Sequence, residues 1–153
     1  MRKTILCLTV IILSSSFKKE GLDIAYLNCK SESGRTIFTA EIQDIDGELE
    51  NAEVTIDGEK LKFTKGENSN VIFESRNGFY SIVIENNSKA NSSKPKFLKF
   101  WAIPKTFKTV VSNGQEFNYT FQAQLFCTDP RKDKNLLTPE IKMNCTLLYN
   151  YKI

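Results

Sequence analysis

The chain has 153 residues, 41% of them hydrophobic and 25% charged, with a formal net charge of +3. That length suits one domain, and the balance is too apolar for a disordered chain. Histidine is absent altogether, which excludes Ser-His-Asp and Cys-His nucleophiles, imidazole proton shuttles and His-based metal sites.

The N-terminus reads as an export signal. Arg2 and Lys3 form a basic start, Thr4 to Leu13 an apolar run, and Ser14 and Ser16 small residues suited to cleavage after Ser16. The run is shorter than the ~20 residues a membrane span requires, so no stable membrane anchor is expected. Cys7 lies inside the run with Leu6 ahead of it, which does not suit lipid attachment. Residues 1–16 are therefore read as a signal peptide and 17–153 as a single all-β domain of a secreted or periplasmic protein. Loss of Arg2 and Lys3 lowers the formal charge from +3 to +1, too near neutral for bulk attraction to nucleic acid.

Beyond the signal, apolar and polar residues alternate with period two. Strands are expected over 23–30, 35–43, 49–57, 59–64, 70–75, 78–86, 96–103, 106–111, 116–127 and 140–152. The last is the clearest: Ile141, Met143, Cys145, Leu147 and Tyr149 share one face, and Lys142, Asn144 and Thr146 the other. Asp57-Gly58 and Asn77-Gly78 are two-residue hairpin signals, and Asp46-Gly47 and Asn113-Gly114 mark further reversals. The polar run Asn86 to Lys94 reads as a loop, and Asp129-Pro130 suits a single capped helical turn. Eight to ten short antiparallel strands joined mostly by hairpins form a meander. Such a sheet leaves two edges exposed unless it curls, so a small closed or partly closed barrel is expected, with a two-sheet sandwich as the alternative.

Once the signal is removed, Cys29, Cys127 and Cys145 remain. Their spacing fits no zinc pattern, and no metal or other cofactor is expected. An oxidising compartment favours one disulfide. A closed meander makes its first and last strands neighbours, which favours Cys29–Cys145, with Cys29–Cys127 next. In a plain hairpin of the last two strands Cys127 opposes a residue near Glu140, which counts against Cys127–Cys145.

Charge is divided along the chain. Between Arg35 and Lys60 stand Glu41, Asp44, Asp46, Glu48, Glu50, Glu53, Asp57 and Glu59 with no basic residue. Asp44-Ile45-Asp46-Gly47-Glu48 does not meet the calcium-loop pattern, because its glycine falls two positions early. From Asn86 to Gln115 stand Lys89, Lys94, Lys96, Lys99, Lys105 and Lys108 with no acid, among Phe97, Phe100, Trp101 and Phe107. Lysines on both faces of 96–103 resemble a guarded edge strand; lysines with aromatics also suit an anionic partner. Asn-x-Ser/Thr triplets at Asn86, Asn91, Asn118 and Asn144 matter only in a host that glycosylates them.

No catalytic residue is assigned. The first functional reading is a monomeric, non-catalytic binding protein that recognises a protein or envelope component through a charged face or loops, with no nucleic-acid partner. Its expected contact residues are Lys99, Trp101 and Lys105, plus the acidic turn of Asp44, Asp46 and Glu48. A second reading is a carrier of a small apolar ligand in an aromatic-lined barrel. A third is a carboxylate-based hydrolase, which needs two acids from 41–59, or one of them with Asp129, to converge in a cleft.

Overall fold

A strand with apolar residues on one side only must bury that side against something. The computed structural model describes residues 24–43, 47–66, 69–74, 79–86, 96–112, 116–132 and 136–150. Its strands are β1 (Ile24–Ser31), β2 (Thr36–Gln43), β3 (Leu49–Ile56), β4 (Glu59–Thr64), β5 (Ser69–Glu74), β6 (Phe79–Asn86), β7 (Lys96–Ala102), β8 (Lys108–Ser112), β9 (Glu116–Cys127) and β10 (Ile141–Asn150). Their limits lie close to those read from the alternation. There is no helix among the described residues. The expected signal segment at 1–16 lies outside them.

All the strands belong to one antiparallel sheet ordered β4-β3-β2-β1-β10-β9-β7-β6-β5, with β8 also paired to β9. One sheet rather than two sets the sandwich aside. The sheet is strongly curled. Phe38 of β2 and Phe100 of β7 stand four strand spacings apart, about 19 Å along a flat sheet, yet their ring centroids are 5.0 Å apart. The sheet edges β4 and β5 would be about 38 Å apart if flat. They are joined through residues 65–68 alone, a connection that spans about 18 Å at most. The result is a half-barrel, a partly closed barrel whose seam falls in mid-chain between β4 and β5.

The first and last strands are neighbours. β1 pairs with β10 from Ala25↔Tyr149 to Ser31↔Met143, and Cys29 lies directly across from Cys145 at disulfide distance. Both are buried on the concave side. Cys127 is a buried free thiol. Its N–H donates to Thr138 Oγ1 (3.2 Å) and its carbonyl accepts from Thr138 N–H (2.8 Å). Burial pushes this thiol up to about 11, so it stays protonated and unreactive at neutral pH.

Concave side chains fill the curl. Tyr80, Phe100 and Phe121 meet edge to face at 6.1 to 6.4 Å, and Phe107 stacks on Phe121 at 4.2 Å, arrangements favoured by the ring quadrupoles. The β3–β4 hairpin turns at Asp57 (φ 52°) and Gly58 (φ 90°); a type I′ turn needs positive φ at both, which explains this residue pair. Asn77-Gly78 and Asn113-Gly114 lie outside the described residues. Asp129-Pro130 opens a β-turn rather than the expected helical turn: Lys132 N–H donates to Asp129 O (3.2 Å) and Arg131 N–H to Asp129 Oδ1 (3.1 Å). The carboxylate itself closes the turn, so no helix is needed to satisfy these donors.

The Cys29–Cys145 bond spans a sequence separation of 116 and removes much of the unfolded chain's freedom. Replacing both cysteines by serine should lower the unfolding free energy by about 3 kcal/mol, read by denaturant titration. Cys127→Ala should cost no more than about 1.5 kcal/mol. The reverse ranking would contradict this pairing.

Candidate functional site

The one irregularity in the sheet's middle arises from unequal strand lengths. β9 has 12 residues. One of its edges is covered by β10 alone, while the other is shared end to end by β7 and β8. Between β7 and β8 the chain leaves the ladder at residues 103–107. Pro104 has no N–H to give a neighbour, and Lys105 takes the left-handed conformation (φ 67°), which costs a side-chain-bearing residue about 1 kcal/mol. The main chain of Gln122 is satisfied all the same. Ile103 N–H donates to Gln122 O (2.7 Å), and Gln122 N–H donates to Thr106 Oγ1 (3.0 Å). That hydroxyl in turn donates to Ile103 O (2.7 Å). A threonine side chain thus stands where a strand is missing.

This break forms one wall of a groove on the outer face. Lys105, Thr106 and Lys108 line it together with Thr120 and Gln122 of β9 and Asn144 and Thr146 of β10, around a volume of about 530 Å³. The β9 and β10 residues alternate with the buried Phe121, Ala123, Cys145 and Leu147 and so face away from the core. Register places Gln122 beside Asn144 and Asn144 beside Lys30, with Thr120 between Lys108 and Thr146. Hydroxyls and carboxamides occupy the middle, and lysines the border.

Lys99 and Trp101 also face outward, on β7, where Leu98, Phe100 and Ala102 take the core positions. Trp101 is half-buried, between Ser81 and Gln124. Lys99 Nζ lies 5.0 Å from the centre of its ring, a cation–π contact. Lys99, Trp101 and Lys105 therefore share the outer face with the groove. Of the acidic turn, Asp44 and Asp46 lie outside the described residues. Glu48 is exposed, 3.2 Å from Lys65 Nζ, and does not line the groove. Lys108, Gln122, Asn144 and the threonines were not among the contact residues expected from the sequence. A usable signal was present: Pro104 interrupts two short strands that face one long uninterrupted strand.

The two charged stretches have opposite fates. Glu53 sits 2.7 Å from Lys60 and 3.3 Å from Lys62; Lys65 reaches Glu50 at 2.6 Å; Asp57 meets Arg35 and Arg131, each at 2.6 Å. Lys60 before all others holds the Glu53 carboxyl below its usual value, and Glu50 followed by Glu48 raises Lys65. Among the described residues, four acids of the stretch, Glu48, Glu50, Glu53 and Asp57, are paired with neighbouring cations. Among the described residues, Lys99, Lys105 and Lys108 have no carboxylate at ion-pair distance. These three lysines keep their charge unpaired, while exposed Glu140 is bonded to Gln124 beside Trp101.

Two acids do converge, at the end of the barrel where the β3–β4 turn meets the β9–β10 connection. Arg131 stands between them, with Nη1 on Asp57 Oδ2 (2.6 Å) and Nη2 on Asp129 Oδ2 (2.8 Å). The Arg131 guanidinium holds the fully buried Asp129 carboxyl down to about 2, against the effect of burial. Arg35 and then Arg131 lower Asp57 as well. Both are ionised at neutral pH, so neither retains the proton that a general acid requires. The pair works as a clamp. No protein-family model, curated protein or solved structure matches the chain.

Asp129 makes stability depend on acid in a stated direction. Its folded value, about 2, lies below the ordinary 3.8. The stabilisation is therefore present above pH ~4 and lost as the pH falls toward 2, amounting to about 2 kcal/mol. Asp129→Asn should be less stable than the parent by about that amount at pH 7, with the gap closing toward pH 2. Urea unfolding across this range checks it; a gap that stays constant would remove the ion pair as its cause.

Proposed function

We propose that this is an exported, monomeric, non-catalytic binding protein that holds a protein or envelope component against its outer basic face. The observation that carries the reading is the asymmetry of charge pairing. Among the described residues, Glu48, Glu50, Glu53 and Asp57 of the 36–59 stretch are paired with lysines and arginines beside them, whereas Lys99 on the outer face and Lys105 and Lys108 on the border of the groove have no carboxylate at ion-pair distance. A face of one sign attracts and orients a partner of the other. Export is supported by the basic-then-apolar start of the chain and by the Cys29–Cys145 pair, which suits an oxidising compartment. The contact surface proposed comprises Lys99, Trp101 and Lys105 with the groove beside them. Glu48 is not included, because Lys65 already engages its charge. The carrier reading has less in its favour, since Phe38, Tyr80, Phe100 and Phe121 pack against one another in the space a ligand would need.

Capture from an extract of the native cell envelope tests the proposal. The parent should retain a partner at low salt and release it as salt is raised. A Lys99→Glu, Lys105→Glu variant should lose at least about tenfold in retention with its thermal midpoint nearly unchanged. Retention indifferent to both salt and these substitutions would refute the basic-face reading. A second variant separates contact from fold. Lys105→Gly relieves the left-handed backbone and should raise stability by up to about 1 kcal/mol while weakening capture; stability and binding moving together would make Lys105 structural.

A further inference from the structure

We propose that the outer groove binds an acidic polysaccharide, a hydroxyl-rich chain carrying carboxylates or sulfates. This rests on the binding reading above and names the partner's chemistry. Its outward polar groups are the Thr120 and Thr146 hydroxyls and the Gln122 and Asn144 carboxamides, the Thr106 hydroxyl being already engaged by the main chain of Gln122 and Ile103. Hydroxyls and carboxamides both donate and accept hydrogen bonds, as sugar hydroxyls do. Phe121 and Cys145 complete the lining, which therefore also exposes carbon surface, as the ring faces of a sugar do. The volume of about 530 Å³ is within the range of about 300–1,000 Å³ usual for small-molecule sites, so it accommodates a few sugar units rather than a protein surface.

The charge pattern selects an anion. Lys105 and Lys108 line the groove itself. Lys30 stands beside Asn144 across the β1–β10 pair, and Lys142 is two residues from Asn144 on the same exposed side of β10. Neutral readers in the middle with cations around them match a polymer whose hydroxyls lie along the chain and whose charges project from it.

Single-stranded nucleic acid would also answer to lysine, but it requires free aromatic faces on which bases stack. The outward aromatic rings of β7 and β9 are engaged, and Tyr26, exposed on β1, does not line the groove. Phe97 and Phe126 meet edge to face at 5.9 Å, and Lys99 covers the ring of Trp101. Hydroxyl and carboxamide recognition is what remains.

The test is calorimetric titration of the purified protein with four probes: a galacturonate oligomer, its methyl ester, a dextran sulfate oligomer and inorganic polyphosphate. The expected result is binding of the uronate or the sulfated sugar, whichever is tighter identifying the anion, and at least tenfold weaker binding of the uncharged ester. Lys108→Ala and Gln122→Ala should each weaken that binding by about fivefold to tenfold at an unchanged thermal midpoint. Asn144→Asp, which keeps side-chain size and adds a like charge, should weaken it by at least about tenfold. Failure of both acidic sugars to bind overturns the proposal. So does polyphosphate binding as tightly with no response to Gln122→Ala or Asn144→Asp. If salt-sensitive envelope capture survives either outcome, the basic face still has a partner and only its chemistry was misassigned. If capture fails too, the parent reading falls with it.

Discussion

The pairing of β1 with β10 is the contact on which the rest of the molecule is built. Without it the chain is two separate meanders, β1 to β4 and β5 to β9, each with an apolar side and neither large enough to bury it alone. Ten residues of β10 inserted between β1 and β9 join them into one sheet. Only then does Phe38 from the first half reach Phe100 from the second. The Cys29–Cys145 pair lies within this contact. A covalent link there confines the ends of the chain at the point where the two halves must meet, so its effect falls on the longest loop the fold has to close.

Placing the first and last strands in the middle of the sheet puts the opening in mid-chain. β4 and β5 are adjacent in sequence yet form the two edges, and the short connection between them keeps the seam narrow at one end. At the other positions the curl is held by side chains: Lys96 Nζ of β7 donates to Lys62 O of β4 at 3.1 Å, and the Arg35–Asp57–Arg131–Asp129 chain ties the β3–β4 turn to the β9–β10 connection. Lysines on β4 also guard an edge that would otherwise offer free backbone groups to another chain.

Most of the fold was legible because most strands bury one face only. Alternation such as Met143, Cys145 and Leu147 against Lys142, Asn144 and Thr146 encodes both the strand and the side that faces inward, and Asp57-Gly58 encodes its own hairpin through φ. Strand order was not encoded so locally. Nothing in β4 or β5 alone says that they stay unpaired, since that follows from how far the whole sheet can curl. The site was legible in part. Lys99, Trp101 and Lys105 stood out as a basic, aromatic stretch, and they do share one face. Gln122, Asn144 and Thr146 are ordinary polar positions of well-formed strands, and they become groove-lining only where Pro104 and Lys105 interrupt the neighbouring strand. That juxtaposition is tertiary. Of the acidic turn only Glu48 is described, and its pairing with Lys65 of the loop after β4 is a tertiary match that linear charge counting does not see.

Net charge is consequently a poor guide to what this surface presents. A formal balance near neutrality is compatible with a face of one sign, provided the opposite charges are spent on ion pairs elsewhere. Here Lys60, Lys62 and Lys65 neutralise Glu48, Glu50 and Glu53, and two arginines neutralise Asp57. Exposed pairs of this sort contribute little stability, typically under about 1 kcal/mol each, so their main consequence is electrostatic: they weaken the contribution of these four carboxylates to the surface field. The lysines of 99–108 have no such partners, and the strand break at 103–107 sets two of them along a polar groove. Charge along the chain is nearly balanced, while charge available to a partner is not.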